Sequence, residues 1–225
     1  MQLSVKDLSK LLNVTERTIY RWIKQQSIPF YRIHDQYRFN RVEILDWATS
    51  QKMDLSQAIL DDGGKDVIDC FSLADTIKKG GIYYRVEGND KKTLLSAVID
   101  LLNLPDDVKK ENLLNAMLVR EELGSTGLGD GIAIPHARYP VVTHIPQAIV
   151  SICFLERPVD YGAIDGKPVS CLFTLISPTV RSHLKMLSRT AFVLKNADVK
   201  KAIVAQMSRE VILSEIEKAE RLLGT

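Results

Sequence analysis

The sequence predicts a small, basic, mainly helical domain followed by a larger α/β (α+β) domain, whose mixed sheet is covered by helices on both faces. Three observations support this. After residue 70, strand patterns are interspersed with amphipathic helix patterns. A polar stretch with paired glycines, residues 61–66, separates the two parts. Residues 1–52 hold nine Lys or Arg and five Asp or Glu, whereas residues 53–225 hold 21 and 23. We therefore expect a basic domain at 1–52, a linker at 53–69 and the larger domain at 70–225.

The composition is typical of a globular protein, with 45% hydrophobic and 26% charged residues among 225. No apolar run approaches the roughly 20 residues that span a bilayer, and the start lacks the apolar core of a signal peptide. The three cysteines, Cys70, Cys153 and Cys171, form no CxxC pair, and the last two lie in apolar runs typical of reduced core residues. These features predict a cytoplasmic protein without a membrane segment.

The first 25 residues predict two short helices joined by a tight turn. Ser4 and Asp7 have the spacing of a capping box, and the apolar residues of 5–12 recur at helical spacing. Thr15 can cap a second helix that continues to about Gln25. One side of this second helix is apolar, and the other carries basic and aromatic side chains, namely Arg17, Tyr20, Arg21 and Lys24.

The rest of the basic domain predicts a hairpin and a third helix. Apolar and polar residues alternate on either side of residues 34–36, as in a hairpin, and residues 41–48 have a helical pattern. The order helix, turn, helix, hairpin, helix over residues 4–48 resembles the excisionase/MerR-type winged helix-turn-helix. Residues 14–20 and 37–39 carry most of the likeness.

This resemblance implies that the second helix reads the major groove of DNA and that arginines of the hairpin wing contact phosphate or the minor groove. A domain this small makes few phosphate contacts, so DNA binding implies a homodimer on a symmetric site, or a partner protein. The alternative is a three-helix module for protein interaction or dimerisation with a solvated basic face. The candidate DNA contacts are Arg17, Tyr20, Arg21, Lys24, Arg32 and Arg38.

In the linker, residues 53–60 predict one or two helical turns. In the larger domain, the continuous apolar run at 169–176 is typical of a buried central strand. The predicted helices are 71–78, 90–102, 107–122, 182–194, 196–204 and 208–222, and the predicted strands are 82–86, 132–134, 148–155 and 169–176.

The segment Gly124-Ser-Thr-Gly-Leu-Gly-Asp-Gly-Ile-Ala-Ile-Pro-His-Ala-Arg138 is the most distinctive part of the chain. Four glycines within eight residues allow a loop whose N–H groups can bind an anion, and a histidine follows a short apolar run. Spacing alone leaves two interpretations open, a phosphate-carrying histidine or a glycine turn beside an ordinary surface histidine.

Residues 120–136 closely resemble the active-site segment of enzyme IIA domains of the bacterial phosphotransferase system, of the fructose/mannitol and nitrogen-regulatory types. The similarity extends through most of residues 70–225. It implies that His136 accepts a phosphoryl group, that His183 stabilises it and that Arg120 is a neighbouring cation. The N–H groups of the glycine loop would also bind the phosphate, at Ser125, Thr126, Gly127 and Gly129.

Three details qualify this site. His183 lies in Ser182-His-Leu-Lys185, and its alternative interpretation is a helix-capping surface histidine. Where many nitrogen-type relatives carry Gly-Lys after the histidine, this chain has Ala137-Arg138, which keeps the positive charge. His34 and His144 have no such support, and we expect both to be ordinary surface residues.

The resemblance implies a phosphotransfer carrier rather than a turnover enzyme. The sequence contains no Walker loop, nucleotide fingerprint or metal-ligand cluster, so we expect no ATP, metal or other cofactor. The donor would be a phosphorylated histidine carrier protein, HPr or a nitrogen-type homologue. We favour a DNA-binding regulator of nitrogen metabolism; the alternatives are a component passing phosphate to a IIB domain of a sugar permease, and a non-phosphorylated docking module.

Overall fold

A computed structural model of the chain describes residues 2–33, 36–51, 53 and 71–224. It divides into two compact units, Met1–Gly64 and Lys65–Thr225. The helical turn expected after Met53 lies outside the described residues, as do His34 and Cys70. The boundaries 1–52, 53–69 and 70–225 therefore stay a prediction.

The first unit combines helices with a small antiparallel sheet of order β1-β3-β2. Its core contains fully buried Leu8, Ile19, Phe39, Ile44 and Leu45. Its elements are β1 (Gln2–Leu3), α1 (Val5–Leu11), α2 (Glu16–Lys24), β2 (Tyr31–Ile33), β3 (Gln36–Asn40) and α3 (Arg41–Ser50).

Local signals fix the starts of α1 and α2 in this unit. The Ser4 hydroxyl accepts the N–H of Asp7 at 3.2 Å, and the Asp7 carboxylate accepts the N–H of Ser4 at 3.0 Å, which confirms the capping box. Thr15 caps α2, as expected. Strand β1 was not predicted, because two residues are too short to show an alternating pattern; it pairs with the outer edge of the hairpin.

The second unit is built on a five-stranded mixed sheet of order β4-β7-β8-β6-β5. Strands β4 and β7 are parallel, as are β6 and β8, whereas β7 with β8 and β5 with β6 are antiparallel. Its elements are α4 (Leu73–Gly80), β4 (Ile82–Val86), α5 (Lys91–Leu101), α6 (Lys110–Glu122), β5 (Gly127–Gly129), β6 (Ile132–Ala133), β7 (Ile149–Val159), β8 (Val169–Ile176), α7 (Val180–Val193), α8 (Ala197–Val204), α9 (Arg209–Arg221) and a final 3₁₀ turn (Leu222–Gly224).

Helices cover both faces of this sheet, as the sequence predicts. Apolar residues of α4, α7, α8 and α9 form one core with alternate residues of β7 and β8. Residues of α5 contact the opposite face, and α6 packs against α5.

Cys171 belongs to the first core and Cys153 to the second, and both are free thiols. Burial raises the pKa of Cys153 to about 12 and that of Cys171 well above its usual value. Among the described residues, no helix is both long and apolar enough to cross a bilayer.

Several predicted boundaries differ from the structure. Helix α6 starts at Lys110 instead of residue 107, and α7 starts at Val180, because Thr179 provides its cap. Strand β7 extends beyond residue 155 to Val159 through an irregular pairing with β8, where exposed polar residues hide the strand pattern. Part of the expected glycine loop is a strand, β5, which glycine-rich sequence does not indicate.

Gly80 provides a test of the contact between α4 and β7. A Cβ at this position would lie 2.2 Å from the carbonyl oxygen of Val150, a backbone atom that cannot move aside alone. We expect Gly80→Ala to destabilise the second unit by about 1–3 kcal/mol, the usual cost of overpacking. Urea unfolding followed by circular dichroism measures this. Lys79→Ala, at an exposed position of the same helix, is the control, and equal stability of the two variants would contradict the packing.

Candidate functional site

His136 is placed by the central sheet. Strand β6 runs parallel to β8, and the chain continues beside it, where the Leu175 N–H donates to the Pro135 carbonyl at 2.9 Å. His136 itself is only 3% exposed and pairs with Leu175 in a β-bridge. Its Nδ1 lies 2.7 Å from the carbonyl oxygen of Ile134. Since a carbonyl only accepts hydrogen bonds, Nδ1 carries the proton and the lone pair is on Nε2.

His183 lies beside His136. Their ring centroids are 5.2 Å apart, with an angle of 53° between the ring planes. His183 is in the first turn of α7, where its N–H donates to the carbonyl of the N-cap residue Thr179 at 2.9 Å. It is 3% exposed, so it is not the surface histidine that the sequence left as an alternative. Two residues 47 positions apart in the chain thus form one buried pair.

Arg120 lies at the end of α6, immediately before the glycine-rich segment. Its side chain is buried, with 6% of the residue exposed, and its Nη1 donates to the carbonyl oxygen of Gly124 at 2.7 Å. The guanidinium therefore holds the start of the loop. Arg138, which follows the histidine, is half-buried and places its guanidinium 5.7 Å from the ring centroid of Tyr139.

Two N–H groups that the sequence offered as phosphate donors are used inside the protein. The Thr126 N–H donates to both carboxylate oxygens of Glu121, at 3.2 and 3.3 Å, and the Gly127 N–H donates to the Ser125 hydroxyl at 3.0 Å. The Ser125 hydroxyl in turn donates to the carbonyl of Tyr161. In this conformation, Ser125, Thr126 and Gly127, three of the four residues proposed for phosphate binding, make hydrogen bonds within the protein.

Two glycines of the segment lie where a side chain would collide with a neighbouring loop. Gly129 has a φ of +87°, and a Cβ there would lie 2.8 Å from the carboxyl carbon of Asp165. A Cβ on Gly127 would lie 2.8 Å from the Cα of Ala163. The β5–β6 hairpin therefore packs closely against the loop at residues 163–165, and this packing leads the chain into β6 and towards His136.

The first unit carries its candidate DNA contacts on α2 and on the hairpin. Tyr20 is 49% exposed and contacts Tyr37 of β3 edge-on, with 6.1 Å between ring centroids. On the hairpin, Arg32 is exposed, whereas Arg38 is half-buried and donates to Gln36 Oε1 at 2.6 Å. The remaining candidates are exposed and recur at a spacing of three or four residues, at Arg17, Arg21 and Lys24.

Comparison with protein families gives two matches. Residues 3–52 match a family described as a helix-turn-helix domain. Residues 75–219 match the family described as "Phosphoenolpyruvate-dependent sugar phosphotransferase system, EIIA 2". The chain belongs to this EIIA family.

Relatives of the second unit, called the EIIA unit from here on, include proteins named for nitrogen regulation. A "Nitrogen regulatory protein" of Pseudomonas aeruginosa is 33% identical over 144 residues, which cover 62% of this chain and 91% of that protein. The crystal structure of the nitrogen regulatory protein IIA-Ntr of Neisseria meningitidis is similar, with a TM-score of 0.56 and 30% identity over 64% of this chain and 98% of that one. The IIA domain for mannitol of Escherichia coli has the same fold, with a TM-score of 0.51, 20% identity, and coverage of 61% of this chain and 96% of that one.

Sequence reasoning missed two charged residues of the EIIA unit. Glu121 follows Arg120 but has a side chain only 4% exposed, and it binds Lys91, which is 30 positions earlier in the chain. The pKa of the Tyr161 phenol is raised far above its usual value, mainly by burial and secondly by the nearby negative charge of Glu121. In the sequence, a glutamate next to the motif arginine is only a weak signal of a functional role. No sequence pattern indicates that Lys91 is its partner. His144 is exposed as expected, with Nε2 3.9 Å from Asp107.

The hydrogen bond to Ile134 predicts the tautomer of His136. At a pH where the ring is neutral, we expect the proton on Nδ1 and an unprotonated Nε2. Two-dimensional ¹H–¹⁵N NMR of the histidine-labelled protein distinguishes the two nitrogens. Exposed His144 is the internal control, because a solvated imidazole averages its tautomers. A His136 spectrum with the proton on Nε2 would contradict the geometry.

Proposed function

We propose that His136 of the EIIA unit is phosphorylated on Nε2 by a phosphohistidine carrier protein, and that its phosphorylation state regulates transcription through the DNA-binding first unit. The observation that carries this proposal is the buried pair of His136 and His183, in which the Ile134 carbonyl fixes the proton of His136 on Nδ1. The nitrogen-regulatory names of the relatives support a role in nitrogen metabolism.

The chemistry needs a neutral imidazole as nucleophile. The Nε2 lone pair of His136 forms a new P–N bond as the P–N bond of the donor breaks, and that electron pair stays with the donor's imidazole. The proton stays on Nδ1 of His136 throughout and remains hydrogen-bonded to the Ile134 carbonyl. An imidazole held in one tautomer and one orientation loses little additional entropy in the reaction.

The transferred phosphoryl group needs fixed donors. His183 is close enough to share a phosphoryl group placed on His136, because an N–P bond and one hydrogen bond span a gap of this size. The Arg120 guanidinium is a planar fork that suits phosphoryl oxygens, and its bond to Gly124 already holds it at the loop. Burial of all three side chains strengthens these charge interactions.

The first unit supplies the output. Its α2 carries exposed basic residues and an exposed tyrosine, as a recognition helix requires. Phosphorylation adds about two negative charges at neutral pH. Such a change can bias an equilibrium between two arrangements of a protein or of its complexes. We therefore propose that carrier-dependent phosphorylation alters DNA occupancy by a homodimer.

Phosphotransfer is tested with purified components. The protein is incubated with phosphoenolpyruvate, enzyme I and either the sugar-type or the nitrogen-type carrier, and its mass is measured. We expect an acid-labile gain of one phosphoryl group, which His136→Ala abolishes and His144→Ala retains. His183→Ala should slow the transfer by about 10²-fold, the usual effect of removing one stabilising donor.

The outcomes separate the proposed activities. Absence of phosphorylation with every carrier would contradict both a phospho-regulator and a component that passes phosphate to a IIB domain. Rapid transfer from the phosphorylated protein to a IIB domain, without any effect on DNA binding, would contradict the regulatory role.

DNA binding is tested by selecting duplexes from a random pool with the full chain. We expect Arg21→Ala to weaken binding of the selected duplex by about tenfold and to reduce the dependence of affinity on salt, because one phosphate or base contact is lost. Lys200→Ala removes a positive charge from the EIIA unit and is the control. Equal losses in the two variants, or no selected sequence, would contradict recognition by α2.

A further inference from the structure

A continuous series of hydrogen bonds connects the ring of His136 to a buried carboxylate. Nδ1 of His136 donates to the Ile134 carbonyl at 2.7 Å, and the Ile134 N–H donates to the Thr126 carbonyl at 3.1 Å. The N–H and the hydroxyl of Thr126 both donate to Glu121. Lys91 completes the series, with Nζ 3.2 Å from Glu121 Oε2.

The two charged residues of this series differ strongly in exposure. The Glu121 side chain is 4% exposed and that of Lys91 is 30% exposed. A buried carboxylate is costly unless it is paired and hydrogen-bonded. Here the two donors of Thr126 and the Lys91 ammonium supply its partners. Removing any one of them would leave a negative charge poorly compensated in the interior.

The position of Lys91 at the start of its own helix is electrostatically unfavourable. It is the first residue of α5, after the N-cap Asp90, and the N-terminal end of a helix disfavours a cation. Its ammonium lies 4.8 Å from the ring centroid of Tyr161 and bonds to Glu121. Both contacts direct Lys91 towards the segment that leads to His136.

We propose that the ion pair of Lys91 and Glu121 positions the ring of His136, acting through Thr126 and Ile134. This inference rests on the proposed phosphotransfer at His136, and it assigns to that reaction two residues that do not touch the phosphoryl group. Glu121 fixes Thr126 by accepting from its two donors, the Thr126 carbonyl holds the backbone N–H of Ile134, and the carbonyl of the same Ile134 residue holds Nδ1. The pair thereby keeps Nε2 unprotonated and correctly aimed.

The same helix turn holds the segment at two points. Arg120 binds the Gly124 carbonyl, and the next residue, Glu121, binds the Thr126 N–H. Two neighbouring residues of α6 therefore hold the loop at positions two residues apart. Weakening the Glu121 attachment therefore disturbs the histidine ring and leaves the Arg120 contact in place. Transfer should slow while docking of the carrier, which depends on the outer surface, is unchanged.

The test uses the full chain with Glu121→Gln, Lys91→Met, the double variant and Lys91→Arg. Glutamine keeps an acceptor for Thr126 but removes the charge. Methionine keeps the length of Lys91 but removes the ammonium. Lys92→Met is the matched control, because this neighbouring lysine is exposed and lies outside the series. Thermal unfolding establishes that each variant is folded. If Glu121→Gln does not fold, Lys91→Met still tests the ion pair, because it leaves the Glu121 carboxylate in place.

Two readouts are measured. The first is the single-turnover rate of phosphorylation at increasing concentrations of the carrier that labels the wild-type protein, which gives a maximal rate constant (kcat) and a half-saturating carrier concentration (KM). The second is the ¹H–¹⁵N NMR spectrum of His136. We expect Glu121→Gln and Lys91→Met each to lower kcat by about tenfold, while KM for the carrier changes by less than about twofold. The Nδ1–H signal of His136 should shift or broaden in both. The double variant should match the single ones, because both belong to one series. Lys91→Arg should restore most of kcat and the signal, and Lys92→Met should match the wild-type protein.

Unchanged kcat and an unchanged His136 spectrum in Glu121→Gln and Lys91→Met would overturn the proposal. A rise in KM alone would also overturn it, since that result assigns the pair to docking. If no carrier phosphorylates the wild-type protein, the proposed function fails, but the NMR spectra still decide whether Lys91 and Glu121 position the ring.

Discussion

The orientation of the His136 ring depends on the carbonyl oxygen of Ile134. This carbonyl is fixed because the Ile134 side chain is 1% exposed, its N–H is bound to Thr126, and the next residue accepts the N–H of Leu175 in β8. A central strand is the most rigid support that this fold offers. The position of the proposed nucleophile therefore follows directly from the sheet, although a glycine-rich segment precedes it.

The site combines burial with charges that balance one another. A buried carboxylate, Glu121, and a buried guanidinium, Arg120, are neighbours on α6. Both bind the same loop, Arg120 at Gly124 and Glu121 at Thr126. Lys91, which lies on another helix, balances the negative charge of the Glu121 carboxylate. Because the interior screens charges weakly, an added phosphoryl group would act strongly on these residues. The loop and the histidine pair are thus the part of the EIIA unit best placed to differ between phosphorylated and unphosphorylated protein.

The sequence predicted what local pattern encodes and missed what depends on distant contacts. Apolar periodicity and capping residues such as Ser4 and Thr15 gave the helices, and the apolar run of β8 gave the central strand. The motif around His136 indicated the family, which neither composition nor spacing alone could assign, and the role of His136 as phosphoacceptor stays a proposal. Strand β1 was too short to detect, and the pairing of Lys91 with Glu121 joins residues 30 positions apart. The Thr126 amide points inward because Glu121 is buried beside it, which only the packing reveals.

The nitrogen that carries the phosphoryl group tests the central claim most directly. The protein is labelled with ¹⁵N-histidine, phosphorylated by its carrier, and examined by ³¹P–¹⁵N coupling in NMR. We expect one phosphoryl group on Nε2 of His136, with Nδ1 still protonated and bound to Ile134, because only Nε2 has a lone pair in the observed geometry. A phosphoryl group on Nδ1 of His136, or on His183, would contradict the assignment of the nucleophile.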